Sequence, residues 1–169
     1  MVTGSMASNA WGIPRTTHDL DFVIQLPPSQ TPRFVAAFEK PDYSVDELSI
    51  RNAYKPPHQF NVIHIPSALK ADFWQLTPNP FEQEMFSRRI KDIWFHEVIW
   101  LATAEDVILH KLFWNKITPS DRQLGDVAGV IQVQKEKLDR DYMRPWAKEL
   151  GVSAELEKAL TGQIKPKTT

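Results

Sequence analysis

Along this chain the apolar positions fall first into short β-type runs and later into longer helical ones. The run DLDFVIQL, residues 19–26, reads as a strand that stops at Pro27-Pro28, where backbone donors disappear. TPRFVAAFEK, 31–40, predicts a short helix with Pro32 in its first turn, and SVDELSIRNAY, 44–54, a second opened by Ser44 and Glu47 as a capping box. FNVIHI and KADFWQL, 60–65 and 70–76, flank the turn-like PSAL and predict a β-hairpin. A helix over NPFEQEMFSRR then leads to a strand or strand pair through WFHEVIWLA, 94–102.

From Thr103 the period becomes helical. Thr103 and Asp106 form a start signal for TAEDVILHKLFWNK, whose Val107, Ile108, Leu109, Leu112 and Phe113 supply a buried face. Ser120 with Gln123 repeats that signal ahead of a helix running to Gln134. LDRDYMRPWAKELGV predicts another, bent or started at Pro145, and IKPKTT a frayed tail. The expected class is α+β: a small mixed sheet flanked by helices over residues 1–102, with a helical region over 103–169 packed on it as one compact unit.

Composition removes several function classes. Forty-two per cent apolar residues suffice for a real core in 169 residues, and 20 basic against 21 acidic residues leave no global field for nucleic acid or an anionic membrane. With no cysteine there is no disulfide, thiolate metal site or cysteine nucleophile, and the setting expected is reducing and cytoplasmic. No apolar stretch approaches the roughly 20 residues of a membrane helix, and no signal peptide stands out. The five histidines lack zinc spacing, and the tryptophans, Trp74, Trp94, Trp100 and Trp114 among them, lie in apolar runs that suggest core packing.

Chemistry gathers at the start. On a strand Asp19 and Asp21 present two carboxylates to one face, hard oxygen donors of the kind Mg²⁺ prefers, although Asp-x-Asp also suits a solvated strand face. Asp72 lies on the next candidate strand with the same alternation. Gly4-Ser5 at a strand-to-helix turn would let phosphate approach the backbone at a helix N-terminus, or would form an ordinary small-residue turn.

Together GSMASNAWGIPRTTHDLDFVI, KADFW, ATAEDVILHKLFW and SDRQLGDVAGVI resemble the nucleotidyltransferase superfamily, in the form found in stand-alone bacterial enzymes similar to the abortive-infection toxins. The resemblance implies that Asp19, Asp21 and Asp72 hold two Mg²⁺ ions and that Gly4 and Ser5 hold the β,γ-phosphates of an NTP such as ATP or GTP. Arg15 and Thr17 precede the acidic pair in the same motif. Lys111 would neutralise phosphate charge, and Asp126 would orient Lys111 or assist deprotonation of the acceptor. It implies NMP transfer to a hydroxyl on a small molecule, a tRNA end or a protein, with an antitoxin as a conceivable partner; a catalytically inactive nucleotide- or protein-binding module is the alternative. The resembling proteins carry a helix and most of a strand ahead of Gly-Ser, whereas only Met1-Val2-Thr3 precede it here. The expectation is therefore a frayed Gly4-Ser5 and an exposed sheet edge that favours a homo-oligomer.

Overall fold

The computed structural model describes residues 1–38 and 40–166. Among them one mixed sheet is built from β1 (Val2–Thr3), β2 (Asp19–Ile24), β3 (Tyr43–Ser44), β4 (Gln59–His64), β5 (Leu69–Gln75), β6 (Ile90–Trp94) and β7 (Glu97–Leu101). Their order across the sheet is β3-β4-β5-β2-β1-β7-β6. The β4-β5 and β6-β7 pairs are antiparallel hairpins; the first was legible from alternation, whereas 94–102 holds only β7 and the end of β6, which starts at Ile90, ahead of the stretch read as a strand or strand pair. Helices α1 (Gly4–Trp11), α2 (Thr31–Ala36), α3 (Glu47–Asn52) and α4 (Pro80–Ser87) are interleaved with strands; α5 (Ala104–Ile117), α6 (Asp121–Gln134), α7 (Arg140–Leu150) and α8 (Ser153–Leu160) follow. The chain is thus α+β with a helical C-terminal part.

Each sheet face has its own core, because successive strand residues point to opposite sides. On one face Phe22 and Phe60 stack on Phe73, which Phe34 of α2 meets edge-on, and the buried Ile50 of α3 joins the same cluster. On the other, Val23 packs with α5, whose Ile108, Leu109 and Leu112 are fully buried, and with Val127, Met143 and Leu156 of the three helices after it; Val2 and Leu101, which the register puts on the side of Phe22, join this larger cluster at the middle of the sheet. Asp106, with no exposed surface, accepts from the Tyr142 hydroxyl at 2.6 Å and the Thr103 hydroxyl at 2.7 Å, so the start of α5 is bonded to α7. A side chain at Gly12 would meet the Val130 backbone nitrogen at 2.7 Å, which is how closely the end of α1 lies on α6.

Several expectations need correction. Ser44 does not cap the second short helix: Asp46 does, accepting from the amides of Leu48 and Ser49, since only a residue directly before the first turn reaches those donors. Ser120 occupies the N-cap of α6 without a side-chain bond, and Gln123 turns instead to Lys111. The first strand ends at Ile24, and the helix from Thr31 ends at Ala36; Glu39 lies outside the described residues. The stretch 138–152 holds α7 with Pro145 inside it, and the chain adds α8 before the tail, of which 167–169 lie outside the described residues. Of the tryptophans named above, Trp74 and Trp94 pack half-buried against the larger core, Trp114 is half-buried, and Trp100 is exposed. The largest difference is at the start. Gly4-Ser5 is not frayed, because β1 is an interior strand, antiparallel to β2 and parallel to β7. Backbone bonds from Val23 to Met1 and from Ala102 to Val2 fix it on both sides.

Candidate functional site

Strand alternation and one parallel register bring the carboxylates together. In the β2-β5 pair Asp21 lies opposite Asp72 and Asp19 opposite Lys70, so all four side chains project from one face. β1 places Thr3 directly across from Asp21 on the other side. Gly4, at φ +59°, then turns the chain into α1, and any Cβ there would fall 2.1 Å from Asp21 Oδ2. The glycine is needed for the carboxylate itself as well as for whatever approaches the helix N-terminus. Its amides in the first turn have no intrahelical partner, and no acidic residue occupies that turn.

These residues line a cleft of about 440 Å³. Its floor holds Thr3, Gly4, Asp19, Asp21 and Asp72; Ser5, Arg15 and Lys111 form one wall, and Arg122 and Gln123 at the start of α6 another. Asp21 is pushed above the usual carboxylate range by burial, with the charges of Asp72 and Asp19 adding to it, while a bond from Trp74 and the charge of Lys111 oppose. Lys70 bridges Asp72 Oδ2 at 2.8 Å, and that bond, with the nearby acids, holds its ammonium above the usual lysine range. Among the described residues the buried side-chain polar atoms lacking a hydrogen-bond partner are Thr3 Oγ1 and Asp72 Oδ1, and both belong to residues lining this cleft. Orphaned buried oxygens of this kind are rare in folded proteins and mark places where something else binds.

Behind the wall lies a charge network. Asp126 accepts from Arg15 Nε at 2.7 Å, Arg15 Nη2 at 2.9 Å and Lys111 Nζ at 2.8 Å, with Ser8 Oγ at 3.4 Å. Burial alone would raise the Asp126 carboxyl, but the bonds from Arg15 and Lys111 outweigh it and hold it below the usual range. Arg15 Nη2 also donates to Ser5 Oγ at 2.9 Å, and Lys111 to Gln123 Oε1 at 3.0 Å. The network therefore presents Ser5, Arg15 and Lys111 to the cleft as one piece, while Asp126 itself does not line it. Both of its oxygens being taken, Asp126 suits orientation of Lys111 and not removal of an acceptor proton. Thr17 does not line the cleft either; its hydroxyl accepts from the Asp19 amide at 3.2 Å.

Among the described residues no three histidine, aspartate or glutamate side chains form a ready-made metal cage. The donor set is nonetheless chemically suited to a hard dication: three carboxylates on one face, one carrying an orphaned buried oxygen and one raised by burial and, less, by its like-charged neighbours. Lys70 holds the other Asp72 oxygen in the meantime.

Several cleft residues escaped the sequence reading. Lys70 carried a legible signal, two positions before Asp72 on the same strand face. Trp74, His110 and Trp114 did not, because their apolar surroundings are those of core residues. Arg122 is exposed and makes no hydrogen bond or ion pair among the described residues, so it is an uncommitted cation at the cleft.

No protein-family model matches the chain, and no curated protein matches it. One solved structure to which it is similar is that of an antigenic nucleotidyltransferase-like protein from Paracoccidioides brasiliensis, at 15% identity and a TM-score of 0.48, over 99% of this chain and 85% of that one. A likeness at this level bears on neither activity nor site residues. Among the described residues no helix is long and apolar enough to cross a membrane.

Proposed function

We propose that the chain is a Mg²⁺-dependent nucleotidyltransferase that moves an NMP from an NTP to a hydroxyl acceptor. The observation that carries this reading is the β2-β5 register, which sets Asp21 beside Asp72 next to the Gly4 turn and leaves an Asp72 oxygen buried without a partner. Asp19, Asp21 and Asp72 would hold the metal. When bound, Mg²⁺ supplies Lewis-acid stabilisation of charge on the attacking and leaving oxygens of an in-line displacement at the α-phosphorus.

The rest of the work falls to the chain. Gly4, Ser5 and the open amides of α1 accept the β,γ-phosphates, favoured by the helix dipole. Lys111, kept in place by Asp126 and Gln123, and Arg15, whose fork is aligned by Asp126, face the same phosphates from the wall. Arg122, free of any counter-ion among the described residues, adds charge at the mouth. The acceptor hydroxyl attacks phosphorus, its proton passes to solvent or a cleft base, and pyrophosphate leaves toward Ser5 and Lys111.

Asp21→Asn tests the reading. The expected result is loss of transfer and of Mg²⁺-dependent binding of a non-hydrolysable NTP, with an unchanged melting temperature; undiminished turnover would overturn it. A second reading, a nucleotide- or protein-binding module without chemistry, draws support from Lys70 sitting on Asp72 and from Asp126 already neutralising much of Arg15 and Lys111. Triphosphate binding with no transfer to any hydroxyl, including water, would favour it.

A further inference from the structure

Beyond the carboxylates, the same strand face continues into a second chamber. Val23 follows Asp21 on β2 and Trp74 follows Asp72 on β5, and the two are register partners. They wall a cavity of about 240 Å³ with Met85 of α4 and Phe113 of α5. Trp74, His110 and Trp114 line both this chamber and the carboxylate cleft, so the two spaces adjoin across a wall of two indoles with ring centroids 5.7 Å apart.

The polar groups around the chamber are nearly all spent on the protein. The Gln75 amide bonds both backbone atoms of Leu26, at 3.3 Å each. The Thr77 hydroxyl donates to Glu82 Oε2 at 2.6 Å, and the Trp114 indole donates to His110 Nε2 at 2.9 Å. A His110 ring that accepts at Nε2 is neutral with its proton on Nδ1, and burial keeps it so, pulling its pKa down to about 4. His58 on the lining is bonded through Nδ1 to the Ala53 carbonyl at 3.3 Å, and the one acid there is Glu82, which disfavours phosphate.

We propose that this chamber binds a flat, uncharged aromatic ring, laid against Trp74, Phe113 and Trp114 beside the reacting centre. Aromatic faces and a lining whose polar groups are mostly bonded to the protein recognise such a ring, and the volume, below the roughly 300 to 1,000 Å³ of sites for drug-sized molecules, suits one ring system and not a whole ligand. The ring site stands on its own walls. Which molecule brings the ring, the NTP as its base or the acceptor as its own ring, rests on the nucleotidyl-transfer reading.

The test uses the full chain with four probes: free adenine and phenol by saturation-transfer NMR, and a non-hydrolysable ATP analogue and inorganic tripolyphosphate, both with Mg²⁺, by calorimetry. Phe113→Ala removes a wall that does not line the carboxylate cleft, and Phe113→Leu removes only its aromatic ring at little cost to folding. At least one free ring should bind the native chain and be weakened about tenfold by Phe113→Ala and severalfold by Phe113→Leu. If the ATP analogue weakens in parallel while tripolyphosphate does not, the ring is the base. If the analogue is unmoved while adenine or phenol is lost, the ring belongs to the acceptor. Failure of both free rings to bind, or binding indifferent to both substitutions in samples of native melting temperature, overturns the proposal. Failure of tripolyphosphate alone would instead count against the nucleotidyl-transfer reading.

Discussion

At Gly4 a single missing methylene decides whether the site exists. The residue combines φ +59° with a carboxylate where its Cβ would stand, so Gly4→Ala must both strain the backbone and displace Asp21. Loss of about 1 to 2 kcal/mol of stability, read by urea denaturation, together with loss of Mg²⁺-dependent triphosphate binding, is the expected outcome. His110 makes a second prediction at this scale. Its folded pKa of about 4 lies below the unfolded 6.5, so between those values the unfolded chain takes up a proton that the folded chain refuses. Stability therefore falls as pH drops from about 6.5 toward 4, by about 2 kcal/mol at pH 5. Unfolding midpoints of the native chain and His110→Gln, compared at pH 7.5 and pH 5, should show that share of the acid sensitivity vanish in the variant; equal losses in both would refute the assignment.

Helices α1, α5 and α6 are joined at one carboxylate. Asp126 on α6 holds Lys111 on α5 and Arg15 beyond α1, and Arg15 reaches back to Ser5. Removing it by Asp126→Ala leaves a buried ammonium and a largely buried guanidinium without a counter-charge, a change expected to cost about 3 to 5 kcal/mol in chemical denaturation. Lys111→Met should cost less, because Asp126 keeps both bonds from Arg15. If the two substitutions cost the same, the junction is a simple pair and not a three-element joint. The helix start at Thr103 was legible because its cap is local, and the hydroxyl does accept from the Asp106 amide. The Ser120 signal placed α6 correctly, from Asp121 to Gln134, but without the capping bonds it implies, because Gln123 finds a partner in a lysine twelve residues earlier.

In the whole molecule a strand of two residues has the widest reach. Two residues, Val2 and Thr3, lie between β2 and β7, and in the sheet order the β6-β7 hairpin is attached to the remainder through them. Deleting Met1 to Thr3 should therefore separate the hairpin from the sheet and abolish cooperative unfolding, measurable by circular dichroism, whereas trimming the same number of residues from 164–166 should leave the transition in place.

The α+β class, the β4-β5 hairpin, the long helices and the shared face of Asp19 and Asp21 follow from local rules: period two for the two aspartates, period 3.6 for the face of α5, proline and capping signals at their ends. Lys70, too, was within reach of that alternation. What local rules do not contain is the choice of neighbour. That β5 lies parallel to β2 with Asp72 at Asp21, that Val2 and Thr3 form an interior strand, and that Asp126 takes both Arg15 and Lys111 are contacts between residues 15 to 111 positions apart. Such contacts are selected by which packing buries both sheet faces while leaving the fewest charges unpaired, a condition on the entire chain at once, and only the tertiary structure resolves it.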